Sequence, residues 1–150
     1  NDVYYKAALV LHTIRYLVGK DILWSTLKEF LYMPKELSNN QTSTLEFISL
    51  LNENSNMDLH WVFNQFMYNE SLPTLYIKEK TRKSKIFVDL WWKEQGFKMP
   101  IEVSYGAIEG IRTKSLDLGN VPTRIVVPDS LGLEIDPKGW VLFKLENIDN

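Results

Sequence analysis

The chain has 150 residues, of which 45% are hydrophobic, 13% aromatic and 24% charged, and its formal net charge is −2. This composition excludes a disordered or collagen-like chain, and the near-neutral charge gives no global sign of a nucleic-acid-binding or membrane-surface protein. The absence of cysteine excludes disulfides, thiolate metal sites and cysteine nucleophiles. No apolar run reaches the roughly 18 residues of a membrane-spanning helix, so we expect no membrane span.

The first part of the chain has the apolar spacing of amphipathic helices. The pattern predicts a first helix over Asp2–Val18, with Leu9 and Val10 widening its apolar stripe so that it is buried on most sides. It predicts a second helix that is capped by Asp21 and ended by Pro34.

The following helices are shorter and carry recognisable caps. After a polar loop at Ser38–Gln41, Ser43 and Glu46 form the capping box of a third helix, which we expect to break at Asn52–Asn56. Asp58 is placed to cap a fourth helix. Short helices with short connections predict an antiparallel helical array.

Beyond Ser71–Pro73 the pattern changes to the period-two alternation of β-strands. Short strands separated by turn residues predict an antiparallel β-sandwich, so that the fold class is α+β with two segregated parts. We place the boundary near Pro73, which divides the chain into residues 1–72 and residues 73–150. The predicted strands are Thr74–Lys80, Lys85–Trp92, Met99–Tyr105, Ile108–Lys114, Thr123–Val127 and Gly139–Leu145.

The two histidines do not form a metal motif on their own. A helical zinc peptidase needs two histidines at i and i+4 with a glutamate between them, and neither His12 nor His60 has such a partner. We interpret both as structural, with a role as third metal ligand as the alternative. No P-loop, GxSxG or GxGxxG segment is present, and spacing alone leaves a serine–histidine–acid arrangement open without favouring it.

Two further clusters have a structural and a functional interpretation. The basic run Lys78–Lys85 is typical of a solvated hairpin tip with charged edge strands. The alternative interpretation is that it binds phosphate or an acidic partner. Aromatic residues in the second part fill a sandwich core, or they form a face that binds sugar or peptide. These aromatic residues are Trp91, Trp92, Phe97 and Trp140.

Tyr4 and Tyr5 stand at the start of the first predicted helix. A phenol aimed at a developing oxyanion stabilises a tetrahedral intermediate. Their residue type and position alone favour a packing role. Composition and periodicity do not support a catalytic role for either residue.

An ordered series of segments resembles the aminopeptidase N family of zinc peptidases, the gluzincins. The residues of Val3–Gly19 resemble its V-Y-x-K-G-A…hxxLRxxxG segment. Later segments resemble, in the family's order, T-T-x-D-F, D-L-x-W-F-F-x-Q-W, x-P-x-L, F-x-M-P-I-x-V and D-P…W-V-L. They are Thr42–Phe47, Asp58–Phe66, Leu72–Leu75, Phe97–Val103 and Asp136–Leu142.

The resemblance implies a zinc-dependent aminopeptidase that hydrolyses N-terminal residues from peptides. The family's oxyanion-stabilising tyrosine corresponds to Tyr4, and Tyr5 is the fallback if the register differs by one. The chain would supply the end of a thermolysin-like catalytic domain and the β-sandwich. Two positions depart from the family: Tyr5 stands where glutamate is frequent, and Ala7 stands where glycine is usual.

The family's HExxH…E zinc ligands and its G-x-M-E-N segment do not occur in this sequence. We therefore expect the ligands upstream of Asn1, zinc in the parent protein, no zinc bound to this piece, and no activity of the piece alone. A catalytic zinc needs three protein ligands and an open position.

Other expectations concern partners and location. The partner of the parent is a peptide substrate, nucleic acid is not expected, and exposed helical surface would favour self-association. An extracytoplasmic bacterial location is compatible with the absence of cysteine. The alternative function is a non-catalytic module that binds protein, peptide or carbohydrate, or a family member whose zinc site has decayed.

Overall fold

The fold is α+β, with helices in the first part of the chain and two sheets in the second. The computed structural model describes residues 2–33, 42–107, 110–128 and 132–148, without the side chains of residues 2 and 3. Within these residues the chain divides into two compact units, Asn1–Glu70 and Ser71–Asn150. The predicted loop at Ser38–Gln41 lies outside the described residues.

The described residues of the first unit form four α-helices and one π-helix. They are α1 (Asp2–Val18), α2 (Lys20–Tyr32), α3 (Thr44–Ser55), α4 (His60–Phe63) and the π-helix Asn64–Tyr68. Helix α1 contacts α2, α4 and the π-helix, and α2 contacts α3. The antiparallel direction of this array stays a prediction.

The junction of α1 and α2 corrects one predicted cap. Gly19 alone separates the two helices, and its φ of 88° lies in the left-handed region that favours glycine. Asp21 lies inside the first turn of α2 and is not its cap. The N-terminal half of α1 is also less buried than predicted, because Leu9 is 40% exposed.

The capping box of α3 is confirmed. Ser43 Oγ accepts a hydrogen bond from the Glu46 N–H at 3.2 Å, and Glu46 Oε2 accepts one from the Ser43 N–H at 2.6 Å. Helix α3 ends inside the predicted segment Asn52–Asn56: it continues to Ser55, and Asn56 follows in the left-handed conformation of a C-cap. The side chain of Asn52 accepts the Leu59 N–H at 2.9 Å and so does not compete with the helix backbone.

In the second unit, the residues that the structure describes form seven strands. They are β1 (Thr74–Arg82), β2 (Lys85–Trp92), β3 (Met99–Ala107), β4 (Gly110–Leu118), β5 (Thr123–Pro128), β6 (Leu133–Ile135) and β7 (Lys144–Asn147). One sheet has the order β5-β2-β1-β7 and the other β4-β3-β6. Strand β2 contacts β4 and β3 contacts β5, an arrangement compatible with the predicted sandwich.

The core of the second unit follows the alternation of the strands. Buried apolar residues from both sheets form this core, and Trp92 and Met99 are fully buried in it. The indole Nε1 of Trp92 donates a hydrogen bond to the Met99 carbonyl at 2.9 Å. The other buried apolar strand residues are Leu75, Ile77, Val88, Leu90, Ile101, Val103, Leu116, Leu118 and Val127.

The last predicted strand is displaced. Strand β7 begins at Lys144, not at Gly139, and it pairs with β1 in parallel where the prediction was antiparallel. The carboxylate of Asp136 accepts the backbone N–H groups of Trp140 and Val141, both at 2.9 Å. These two donors are therefore held in a turn and are not available to a ladder.

Strand β4 also differs from its prediction. Its predicted start, Ile108, lies outside the described residues. The strand continues past Lys114 to Leu118, because Leu116 and Leu118 pair opposite Ile101 and Met99 and are buried.

Candidate functional site

Tyr4 and Tyr5 lie in the first turns of α1, and both are largely exposed, at 82% and 72%. Residues at i, i+3 and i+7 share one face of a helix. Tyr4 therefore shares a stripe with Ala7 and Leu11, whereas Tyr5 lies on a neighbouring stripe about 100° away. We expected packing to hold Tyr4 in place. Because its side chain is so exposed, the described residues do not provide that packing.

An apolar groove of about 370 Å³ begins one helical turn beyond Tyr4. Ala7 and Leu11, from the Tyr4 stripe, lie in its wall. Edge-to-face aromatic contacts build its other side, with ring centroids 5.3 Å apart for Phe30 and Phe47 and 6.4 Å apart for Phe47 and Phe63. The remaining lining residues are Val10, Leu27, Thr42, Ser43, Thr44 and Met67.

The groove is suited to binding and offers little chemistry. Its lining holds no histidine, carboxylate or lysine among the described residues. The Ser43 hydroxyl takes part in the capping box of α3, where it accepts the Glu46 N–H. The groove is therefore suited to an apolar side chain, and the exposed phenol of Tyr4 lies one turn away on the stripe of Ala7 and Leu11.

Both histidines contact polar side chains, and His60 Nδ1 also lies 3.1 Å from Asn52 Nδ2 on α3. Arg15 Nη2 donates to His12 Nδ1 at 3.1 Å, since a guanidinium has no acceptor. His60 Nδ1 lies 2.8 Å from Asp58 Oδ1, and this hydrogen bond lowers the pKa of Asp58 below its usual 3.8. Within the described ranges, no group of three histidine or acidic residues is arranged to hold a metal ion. These residues do not fit a catalytic zinc.

The aromatic residues of the second unit do not form one face. Trp92 is fully buried, and its ring meets that of Phe97 edge-on at 5.0 Å, so the core interpretation is confirmed for both. Trp91 follows the opposite side of β2 and packs on Tyr76 at 5.5 Å. A flat sugar-binding platform of all four predicted aromatic residues is wrong.

The basic run forms the predicted hairpin tip. Lys83 and Ser84 connect β1 to β2, and both have positive φ, 48° and 59°, as a two-residue hairpin turn requires. Pairing of β2 with β5 also places Asp89 opposite Arg124, and neither residue was among the predicted site residues. The only indication of them in the sequence is their position in the alternation of the predicted strands, which places each on the side opposite to the buried residues.

Comparison with known proteins adds no family assignment. No protein-family model matches this sequence. A search of curated proteins likewise finds no match. In the part of the chain that the structure describes, none of the helices has both the length and the apolar character needed to span a bilayer.

Proposed function

We propose that this chain is part of a zinc aminopeptidase of the aminopeptidase N type, to which it contributes Tyr4 as oxyanion donor. The ordered series of family-like segments supports the proposal, together with helices followed by a β-sandwich as the resemblance implies. The observation that carries it is the exposed phenol of Tyr4 on a helical stripe that leads into an apolar groove.

The role of Tyr4 is to donate a hydrogen bond. A tyrosine hydroxyl is an uncharged donor at neutral pH, so it stabilises negative charge that develops on a carbonyl oxygen without giving up its proton. Exposure of the hydroxyl is a requirement, because a buried phenol could not reach a substrate. Tyr5 would point away from the groove by about 100° and is the fallback.

The zinc ligands are proposed to belong to a segment that precedes this chain in the parent, where metal would supply an activated water and polarise the carbonyl. The preceding part of the catalytic domain would then pack on the exposed apolar side chains of α1, which would belong to the end of the same domain. Leu9, 40% exposed, is such a side chain. On this proposal the chain alone is inactive.

The experiment is kinetic, in the longest natural protein that contains this sequence. With zinc and an aminoacyl-anilide substrate, Tyr4→Phe is expected to lower kcat by about 10²–10³, as loss of one oxyanion donor does. Tyr5→Phe is the matched control and should leave kcat within about twofold. Absence of aminopeptidase activity in the parent overturns the function, and a loss confined to Tyr5→Phe transfers the role to Tyr5.

A second candidate function is an interaction module without catalysis. It is favoured by large apolar side chains that stand exposed on α2, with Leu31 at 70% and Tyr32 at 86%. Such a surface promotes association with a partner or a second copy. Light scattering after size exclusion tests this: a mass that rises with concentration and falls in Leu31→Ser/Tyr32→Ser supports it. A constant monomer mass in the wild type contradicts self-association.

A further inference from the structure

A basic concavity lies on the side of the four-stranded sheet that faces away from the core. This basic concavity encloses about 430 Å³. It is lined by Lys78, Lys80, Arg82, Phe87, Asp89 and Arg124. Its volume falls in the range of about 300–1,000 Å³ that is typical of small-molecule sites. It is separate from the groove beside Tyr4, since all its residues belong to the second unit.

The strand register places these side chains together. Lys78 is directly opposite Asp89, and Lys80 is directly opposite Phe87. On the other side of β2, Asp89 is directly opposite Arg124. Directly opposite residues have side chains on the same face of an antiparallel pair, so three strands contribute to one wall.

The charges in the concavity do not cancel. Asp89 is the one carboxylate among its described lining residues, and both oxygens accept hydrogen bonds from Arg124 Nε and Nη2 at 2.7 Å. Lys78, Lys80 and Arg82 then remain as three cations. The residues that the structure describes include no ion-pair partner for Lys80 or Arg82. This local excess of positive charge contrasts with the net charge of −2 of the chain.

Edge protection accounts for only part of this arrangement. Strand β7 covers β1 from Thr74 to Ile77, so the remainder of β1 has an open side within the described residues, where charges discourage unwanted pairing. That explanation covers Lys80 and Arg82. It does not account for Phe87, a half-buried aromatic ring on β2 between them and β5.

We propose that the basic concavity binds a phosphate monoester that carries a planar ring, the chemistry of a nucleoside 5′-phosphate. The phosphate, with a charge of about −1.5 to −2 at pH 7, lies between Lys80 and Arg82. Lysine acts as a point charge and the arginine fork matches phosphate oxygens. The ring stacks on Phe87, as bases do on aromatic side chains beside a cationic groove.

The test uses titration calorimetry of the whole chain with three probes: AMP, adenosine and inorganic phosphate. We expect saturable AMP binding that is tighter than that of either part. Lys80→Gln/Arg82→Gln should weaken AMP and phosphate by about tenfold or more, since it removes both direct phosphate contacts. Phe87→Leu should weaken AMP by about tenfold and leave phosphate within about twofold, since only the ring loses its stacking partner.

The matched control is Lys98→Gln/Lys114→Gln, which removes the same charge from exposed positions outside the concavity. Both affinities should remain within about twofold, because the long-range field of two distant charges is screened at about 0.15 M salt. The proposal is overturned by absence of saturable AMP binding or by an equal loss in the control. Tighter binding of a glutamate-rich peptide, or of an unphosphorylated single-stranded oligonucleotide, also overturns it and assigns the surface to that partner instead.

Discussion

Arg124 on β5 donates hydrogen bonds from Nε and Nη2 to Oδ1 and Oδ2 of Asp89 on β2, each at 2.7 Å. The residues are 35 positions apart in the chain and directly opposite in the ladder. This fork holds the pKa of Asp89 below its usual 3.8, with Lys78 adding a smaller effect in the same direction. The arrangement ties the β2–β5 pairing to the protonation of one carboxylate.

Because the folded-state pKa of Asp89 is lowered, its contribution to stability is present above pH 3.8 and is lost as the pH falls through the folded-state value. We predict that Arg124→Gln makes the fall in the free energy of unfolding below about pH 4 shallower. Urea unfolding between about pH 2 and pH 7 measures this. Lys98→Gln is the control and keeps the wild-type slope; parallel curves for Arg124→Gln and the wild type would contradict the prediction.

The buried Trp92 side chain is predicted to be a main source of stability in the second unit. Trp92→Phe leaves a cavity and removes the donor from the Met99 carbonyl, so we expect a loss of about 2–3 kcal/mol. Trp91→Phe, on the other side of the same strand, should cost about 1 kcal/mol or less because Trp91 is only half-buried. Urea unfolding followed by circular dichroism compares the two, and equal losses would count against the assigned core.

The turn between β6 and β7 depends on Asp136. Asp136→Ala removes both acceptors for the Trp140 and Val141 N–H groups, at a residue whose φ is 49°. We expect a loss of about 2–3 kcal/mol, since charged hydrogen bonds and a left-handed conformation are both affected. Asp136→Asn keeps one acceptor and tolerates positive φ, so its loss should be about half of that.

These two variants are compared by thermal and urea unfolding. An Asn variant as unstable as the Ala variant would mean that the carboxylate acts through something other than the two turn hydrogen bonds.

The capping box of α3 gives a local prediction. Ser43→Ala removes the acceptor of the Glu46 N–H and should cost about 1 kcal/mol of the first unit's stability. Thr44→Ala, one residue later and inside the helix, is the control and should change stability by about 0.5 kcal/mol or less. Helical circular dichroism during urea unfolding measures both; a larger effect at Thr44 would contradict the cap.

Much of the local structure could be predicted because its signals lie within a few residues. The periodicity of α1 predicted Asp2–Val18, and the alternation of β2 predicted Lys85–Trp92, with the bounds that the structure has. The capping box and the hairpin turn at Lys83 and Ser84 are likewise local patterns. Tyr4 could be singled out only through the family resemblance, since its residue type and spacing favour packing.

The predictions that were wrong concern features that depend on residues distant in the sequence. The extension of β4 to Leu118 follows from the burial of Leu116 and Leu118 opposite β3. Strand β6, with three residues, is too short for alternation to show.

By itself, then, the sequence determined the division into helices and strands, the α+β class and the hairpin tip, because backbone conformation and side-chain alternation repeat over neighbouring residues. Only the tertiary structure decided the parallel pairing of β7 with β1, the bidentate ion pair between Arg124 and Asp89, and the basic concavity around Phe87. Register between strands is set by packing and by backbone hydrogen bonds across the sheet, and these join residues that have no fixed separation along the chain.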